Sequence, residues 1–485
     1  MIAEAKTDYE KKLHGYIELE KAAVELIHEI GQLWFNKSVE LILFRNQLVD
    51  RSASEIMSLH HYAATVVKQS ISVTESLQIA KQINSLQNLS PARIDIGKLN
   101  AEWIAEKTKG IALPDFISGK LSGLLGQKPS HEPVDVILYG FGRIGRIAAR
   151  ELIVQAGKGE QLRLRAIVTR SNTDEDITKR AELLRTDSVH GPFPGPVIED
   201  LENKSIFANG HHVLMLTANK PEEIDYTKYG IQNALLIDNT GVVRDREGLK
   251  AHLKAKGVSK VLLTAPGKGD IPNIVYGVNH DSYTDDETIF SAASCTTNAI
   301  VPVLKVVSEK LGIERGHIET VHSYTNDQNL LDNYHKKFRR GRAAALNLVI
   351  TETGADKAVA KVLPTLAGKL TGNAVRVPTP NVSLAILSLN VARQTSRDEV
   401  NEILKDAALH GNLVEQIQYS FSNELVSSDL VGNPCPSIFD SPATIVSQDG
   451  KNIVLYVWYD NEYGYTRQVI RFAKKICRVN RLTYY

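Results

Sequence analysis

At 485 residues, with 43% hydrophobic and 23% charged residues, the chain is long enough for roughly two to four domains and has an ordinary globular composition. A net charge of +1 offers no bulk field for nucleic acid or an anionic membrane, and three cysteines (Cys295, Cys435, Cys477) are too few for a disulfide framework and fit a reducing, cytoplasmic setting. No apolar run approaches the roughly 20 residues of a membrane span, and the first residues lack the apolar core of a signal peptide.

Residues 1–130 hold few glycines and prolines and are expected to form an all-helical extension. Tyr16, Leu19, Ala22, Ala23, Leu26 and Ile27 recur at amphipathic spacing. Further helices are expected over Val39–Val49, Ser52–Val67, Thr74–Ile83, Lys98–Lys107 and Asp115–Leu125, with Ser52 and Glu55 as a capping box. His60 and His61 point in different directions on a helix, which favours plain structure over a site. Gly126–Pro133 reads as a linker. Nothing here has metal-ligand spacing, so an accessory role in assembly, packing or regulation is expected.

Val134–Tyr139 is a strand candidate that runs into Gly140-Phe141-Gly142-Arg143-Ile144-Gly145, followed by a helical pattern. In that context G-x-G-x-x-G predicts a Rossmann turn: Gly140 for the tight turn, Gly142 for close approach to a pyrophosphate, Gly145 for helix–strand packing. The next strand, Leu162–Val168, ends in Thr169 and Arg170, where an NAD site usually places a carboxylate on the ribose. An arginine there suits a 2′-phosphate, which favours NADP. Two more strands end in Thr240-Gly241 and Thr264 and are expected to line the cofactor groove.

Ser294-Cys295-Thr296-Thr297-Asn298 stands directly before a helical run from Ala299. Unpaired N–H groups and the dipole at a helix start favour a thiolate and suit an anion. Cys435 and Cys477 fall in no such setting and are taken as structural.

The phrases Tyr139–Arg146, Ser294–Asn298, His322-Ser-Tyr-Thr325, Arg376–Ser383 and Trp458–Tyr465 together resemble phosphorylating glyceraldehyde-3-phosphate dehydrogenases, from about Pro133 to the C-terminus. The resemblance implies Cys295 as nucleophile and His322 as general base, with an imidazolium that keeps the thiol ionised. It implies Thr325 and Arg376 for the substrate phosphate, and Ser294, Thr296, Thr353 and Gly354 for inorganic phosphate. Asn461 would clamp the nicotinamide carboxamide with Tyr465 nearby, Phe141 to Ile144 would cover the pyrophosphate, and no metal is implied. The reaction would be reversible oxidation of glyceraldehyde 3-phosphate to 1,3-bisphosphoglycerate, with NADP or NAD, in a cytoplasmic homotetramer.

This chain departs from the family at Tyr139, where asparagine is common, at Thr169-Arg170 and at Asn333-Tyr334, where NAD-specific members carry Leu-Pro. Asp327 replaces a second phosphate-binding threonine, and Glu352 stands beside the phosphate pocket. The implied fold is α/β: a Rossmann domain over 133–294 rejoined by a C-terminal helix within 461–485, and an α+β catalytic domain over 295–460 with a mostly antiparallel sheet. Oxidation of erythrose 4-phosphate by the same machinery is the enzymatic alternative; a regulatory or interaction protein on this scaffold is the non-enzymatic one.

Overall fold

The computed structural model describes residues 7–127 and 132–485, so part of the expected linker, 128–131, and the first six residues lie outside the described residues. The chain divides into two compact units. One comprises Met1–Glu132 with Gly157–Glu160 and Val479–Tyr485; the other comprises Pro133–Ala156 with Gln161–Arg478.

The first unit is built on α1 (Asp8–Lys37), whose buried stripe Ala22, Ala23, Leu26, Ile30, Leu33 and Trp34 has helical spacing. Helices α2 (Ala53–Tyr62, continuing as a π turn through Val67), α3 (Val73–Ser85), α4 (Ile96–Glu106) and α5 (Leu113–Lys120) follow. The Ser52–Glu55 capping box forms. His60 is buried, with Ile56 O and Ser76 Oγ at its two ring nitrogens. Apart from the run 39–49, the unit carries the helices expected of it, and it adds a small sheet that an all-helical extension leaves out. The run 39–49 is not a helix but a hairpin of β1 (Glu40–Leu43) and β2 (Asn46–Gln47). With β3 (Ala92–Asp95) and the chain's last strand, Leu482–Tyr484, it forms a sheet of order β2, β1, β3, C-terminal strand. Phe44 and Arg45 make its tight turn at positive φ. Asp95 holds them there by accepting the Phe44 and Arg45 N–H groups while capping α4 through Gly97 and Lys98.

The second unit contains two eight-stranded sheets. Its dinucleotide-type half runs β4 (Val134–Tyr139), α6 (Arg143–Val154), β5 (Leu162–Thr169), α7 (Asp174–Arg185), β6 (Val197–Asp200), β7 (Ser205–Ala208), β8 (His211–Thr217), β9 (Ala234–Asp238), α8 (Arg246–Lys254), β10 (Val258–Leu263) and β11 (Ile289–Ser291). Strand order is β11-β10-β9-β4-β5-β8-β7-β6, parallel from β11 to β8. The order reverses between β4 and β9, and such a switch point opens a crevice beyond the strand ends.

The other half begins with α9 (Cys295–Leu311), followed by β12 (Ile313–Ser323), β13 (Val349–Thr351), α10 (Ala355–Val362), β14 (Leu370–Val377), β15 (Ser383–Val391), α11 (Arg397–Leu409), β16 (Ile417–Ser420), β17 (Ser437–Asp440), β18 (Ile445–Val446) and β19 (Asn452–Tyr459). Its sheet, β13-β14-β12-β15-β19-β17-β16, is mostly antiparallel, with parallel pairs only at β12–β14 and β16–β17. Helix α9 is buried nearly all round against this sheet, between α10 and α11, as its apolar composition requires. Helix α12 (Tyr463–Ile476) closes the unit, and β20 (Leu482–Tyr484) is the strand already described in the first unit. Among the described residues no helix is long and apolar enough to cross a membrane.

Candidate active site

Cys295 is the first residue of α9, and the backbone before it is shaped to put it there. Ala293 has φ 54, a left-handed conformation that turns the chain out of β11. Its carbonyl accepts the Tyr465 hydroxyl at 3.0 Å. Ser294 caps the helix, its Oγ accepting the Thr297 N–H at 3.1 Å. A non-glycine residue in this region costs about 1–3 kcal/mol and persists only where its surroundings over-determine it.

His322 comes from the end of β12 and Arg376 from β14; parallel pairing makes them direct register partners. Cys295 Sγ lies 3.6 Å from His322 Nε2. On the far side of the ring, Nδ1 is 2.7 Å from Ser323 O and 2.9 Å from Arg376 Nη1. Nδ1 can donate to the carbonyl or accept from the guanidinium, not both at once. With the first arrangement Nε2 offers its lone pair to the thiol as a base. With the second, Nε2–H faces the sulfur and supports a thiolate.

Burial, then the Arg376 charge, hold His322 neutral down to about 3. Burial also pushes the Cys295 thiol up, against the Arg376 charge and the Thr296 hydrogen bond that draw it down. The Arg376 guanidinium is therefore a positive charge that favours a thiolate, beside the imidazole that the family resemblance pairs with Cys295.

Two residues to which the sequence assigns no site role belong to this cluster. Tyr459, 1% exposed, bridges Thr296 Oγ1 at 3.0 Å and Thr320 Oγ1 at 2.8 Å and sets its ring edge-on to His322. Arg340 adds a second positive charge bearing on His322 and Arg376. It is held by Asp327 and by Thr351 Oγ1 at 3.0 Å. The Arg339-Arg340-Gly341-Arg342 run was the available signal. Asp327 is thus engaged by Arg340, while exposed Glu352 turns to Lys337 at 3.8 Å.

Of the remaining expected phosphate residues, Thr353 Oγ1 accepts the Ala355 N–H at the start of α10, where Gly354 is the exposed cap. Thr325 follows β12 and is half-buried. Asn461 is buried, its Oδ1 accepting the Ser383 hydroxyl at 2.8 Å. Ser383 follows Val382, a β-branched residue at φ 65 whose carbonyl accepts the Ser323 hydroxyl.

At the glycine turn, Gly140 has φ 93, and a Cβ there would meet Thr240 Cγ2 at 2.9 Å. A Cβ on Gly145 would meet Gly140 O at 2.4 Å, whereas one on Gly142 would project into open space. That open cradle at the start of α6, with its unpaired N–H groups, fits a dinucleotide pyrophosphate. Phe141 is buried and Ile144 half-buried in the same turn. The Arg143 side chain is not free for phosphate: its fork engages Glu462, with Nε–Oε1 at 2.9 Å, and Asp187. Burial works against the Asp187 charge, but the His190 N–H and Arg143 hold its carboxyl down to about 2. Thr169 Oγ1 donates to Ser171 O at 2.8 Å, and Arg170 is exposed beside it. Gly241, at φ 61, and half-buried Thr264 complete the groove beyond β9 and β10.

Residues 134–246 match the family described as "Glyceraldehyde 3-phosphate dehydrogenase, NAD binding domain", and residues 294–461 match its C-terminal domain. A "Glyceraldehyde-3-phosphate dehydrogenase-like protein" of Pseudomonas aeruginosa is 51% identical over 94% of this chain and 99% of its own length. A match of that extent takes in most of the N-terminal unit. The glyceraldehyde-3-phosphate dehydrogenase of Zymomonas mobilis is 40% identical over 71% of this chain and 99% of its own. Chloroplastic glyceraldehyde-3-phosphate dehydrogenase A of Zea mays is 42% identical over 73% of this chain and 84% of its own. Matched in both domains by the family and along nearly its whole length by a relative, the chain belongs to the glyceraldehyde-3-phosphate dehydrogenases.

Proposed function

We propose that the protein oxidises glyceraldehyde 3-phosphate, with inorganic phosphate as second substrate, to 1,3-bisphosphoglycerate. The observation that carries this reading is a thiol 3.6 Å from an imidazole nitrogen whose ring meets an arginine at its other nitrogen. Cys295 Sγ forms a bond to the aldehyde carbon as the carbonyl π bond breaks, and the thiol proton passes through His322 Nε2 to the carbonyl oxygen, leaving a hemithioacetal and a neutral His322. His322 then takes the hydroxyl proton as hydride leaves the same carbon, which becomes a thioester. A bound nicotinamide dinucleotide supplies the hydride acceptor, held in this chain by the glycine turn, the threonines of the groove and Asn461. Attack of phosphate oxygen on the thioester carbon breaks the carbon–sulfur bond and returns the thiolate. Arg376, Arg340, Thr296, Thr325 and the start of α10 at Gly354 are the groups suited to hold the two phosphates.

We infer use of NADP or of both dinucleotides, supported by the exposed Arg170 at the end of β5. Homotetramer assembly is supported by the loop after β12, where Leu330, Leu331, Tyr334, Phe338 and Leu346 are 72–91% exposed in the single chain.

Initial rates of nicotinamide reduction, with each dinucleotide and with phosphate present or omitted, test the reading. A phosphate-dependent rate is expected; none with either dinucleotide overturns it and moves erythrose 4-phosphate forward. Arg170→Ala should raise KM for NADP about tenfold more than for NAD, the scale of one charge-assisted contact.

A further inference from the structure

The buried carboxylate at the sheet's switch point has no part in the chemistry above, yet it touches both sides of the cofactor groove. Tyr139 and Asp238 are register partners at the carboxyl ends of β4 and β9, the strands between which the order reverses. Asp238 is 2% exposed. Its Oδ1 accepts both the Thr240 N–H and the Thr240 hydroxyl, each at 2.7 Å. Its main-chain carbonyl accepts the Thr264 N–H at 3.0 Å and the Thr264 hydroxyl at 3.1 Å. Oδ2 accepts from His252 Nε2 at 3.2 Å.

His252 is itself 2% exposed, and its Nδ1 has no hydrogen-bond partner. An Nε2–H donated to Asp238 leaves only a bare lone pair at Nδ1, the cheaper of the two groups to strand. The Tyr139 ring stands edge-on to this imidazole with centroids 4.7 Å apart. On the other side, Thr240 Cγ2 marks the contact limit of the Gly140 turn. The Asp238 carboxylate therefore sets the Thr240 hydroxyl and, through Thr240, the wall against which the first glycine packs, while its main-chain carbonyl holds Thr264.

We propose that Asp238, supported by His252 and Tyr139, is the positioning residue of the dinucleotide groove: it orients Thr240 for the cofactor without touching the reacting atoms. This rests on the dehydrogenase reading. A loose Thr240 hydroxyl could turn back to satisfy itself locally, so its loss of orientation should weaken the cofactor and spare the chemistry at Cys295.

The test is dinucleotide titration of the full-length protein by fluorescence, alongside steady-state kinetics. Asp238→Ala should raise the dinucleotide Kd about tenfold, while kcat at saturating dinucleotide and KM for the aldehyde stay within about twofold. Asp238→Asn, which keeps an acceptor oxygen and can pair with the other His252 tautomer, should recover to within about threefold of the parent. Thr240→Val, which deletes one hydroxyl at a groove surface, should weaken binding about threefold and decides the matter if Asp238→Ala does not fold. The proposal is overturned if Asp238→Ala or Thr240→Val binds as tightly as the parent. It is equally overturned if Asp238→Asn is as weak as Asp238→Ala, or if kcat falls while Kd is unmoved. Failure of the unmodified protein to bind either dinucleotide sinks the dehydrogenase reading itself, a result visible before any variant is made.

Discussion

Asp95 in the first unit and His322 in the second are both titratable side chains almost withdrawn from water, 7% and 6% exposed. Asp95 spends all its hydrogen-bonding capacity on the fold: its oxygens accept the N–H groups of Phe44, Arg45, Gly97 and Lys98. His322 is engaged on one nitrogen only and presents the other to a sulfur at 3.6 Å. A buried polar group that is saturated by backbone stabilises a local shape, whereas one with a valence left toward a nucleophile can exchange a proton. That difference separates this residue of the first unit, which fixes a turn and a helix start, from that of the second, which faces a nucleophile.

The largest effect should come from deleting the partner of the open valence. Cys295→Ser should lower turnover by at least about 10³-fold with little change in thermal unfolding, read by steady-state rates and calorimetry. Retained turnover would mean that the sulfur is not what His322 serves.

His322→Asn should reduce kcat by about 10²–10⁴-fold, the usual worth of a general base. The same substitution carries a stability signature. Unfolded, the imidazole protonates near pH 6.5, but folded only near 3. Between those values the unfolded state binds the extra proton, so stability is complete above about pH 6.5 and is lost as pH falls toward 3. His322→Asn removes that loss. Its urea midpoint should therefore drop less between about pH 7 and pH 4.5 than the parent's, and an equal drop would place the acid sensitivity elsewhere.

Arg376→Met should slow alkylation of Cys295 about tenfold at neutral pH and move the alkylation profile to higher pH, because the guanidinium is the charge that draws the thiol down. A profile that stays in place would return the counter-charge to the imidazole.

Asp95→Ala should have the smallest effect on activity. Stranding several N–H groups should lower the stability of the first unit by about 2–4 kcal/mol, seen as an earlier thermal transition, while kcat is unchanged. A matching fall in kcat would erase the distinction between the two units. Deleting the first unit requires removing residues 479–485 as well as 1–132, since the last strand belongs to its sheet, and leaves only its Gly157–Glu160 segment behind.

Legibility along the chain followed the range of the forces involved. The glycine turn is written in neighbouring residues because steric exclusion at Gly140 and Gly145 acts within one strand–turn–helix unit. Cys295 at a helix start is local for the same reason: its cap, Ser294, is adjacent. The run 39–49 forms a hairpin where a helix is expected, because a short apolar stretch does not distinguish helix from strand. Its turn at Phe44 and Arg45 is stabilised by Asp95, about 50 positions away. Tyr459 and Asp238 carry no local mark of their roles, and the Arg339–Arg342 run marks Arg340 only as basic. Their roles depend on which strand lies next to which.

The amino-acid sequence by itself determined the strand–glycine–helix turn, the capped cysteine and the family phrases, since short-range sterics and capping need only adjacent residues. The tertiary structure alone decided that His322 and Arg376 stand side by side, through the parallel register of β12 and β14. It also decided that the Arg376 charge bears on both the Cys295 thiol and the His322 ring. Tertiary packing likewise brought Leu482–Tyr484 back to pair with β3 of the first unit. Register and burial are set by contacts between segments distant in the chain, and no local pattern encodes them.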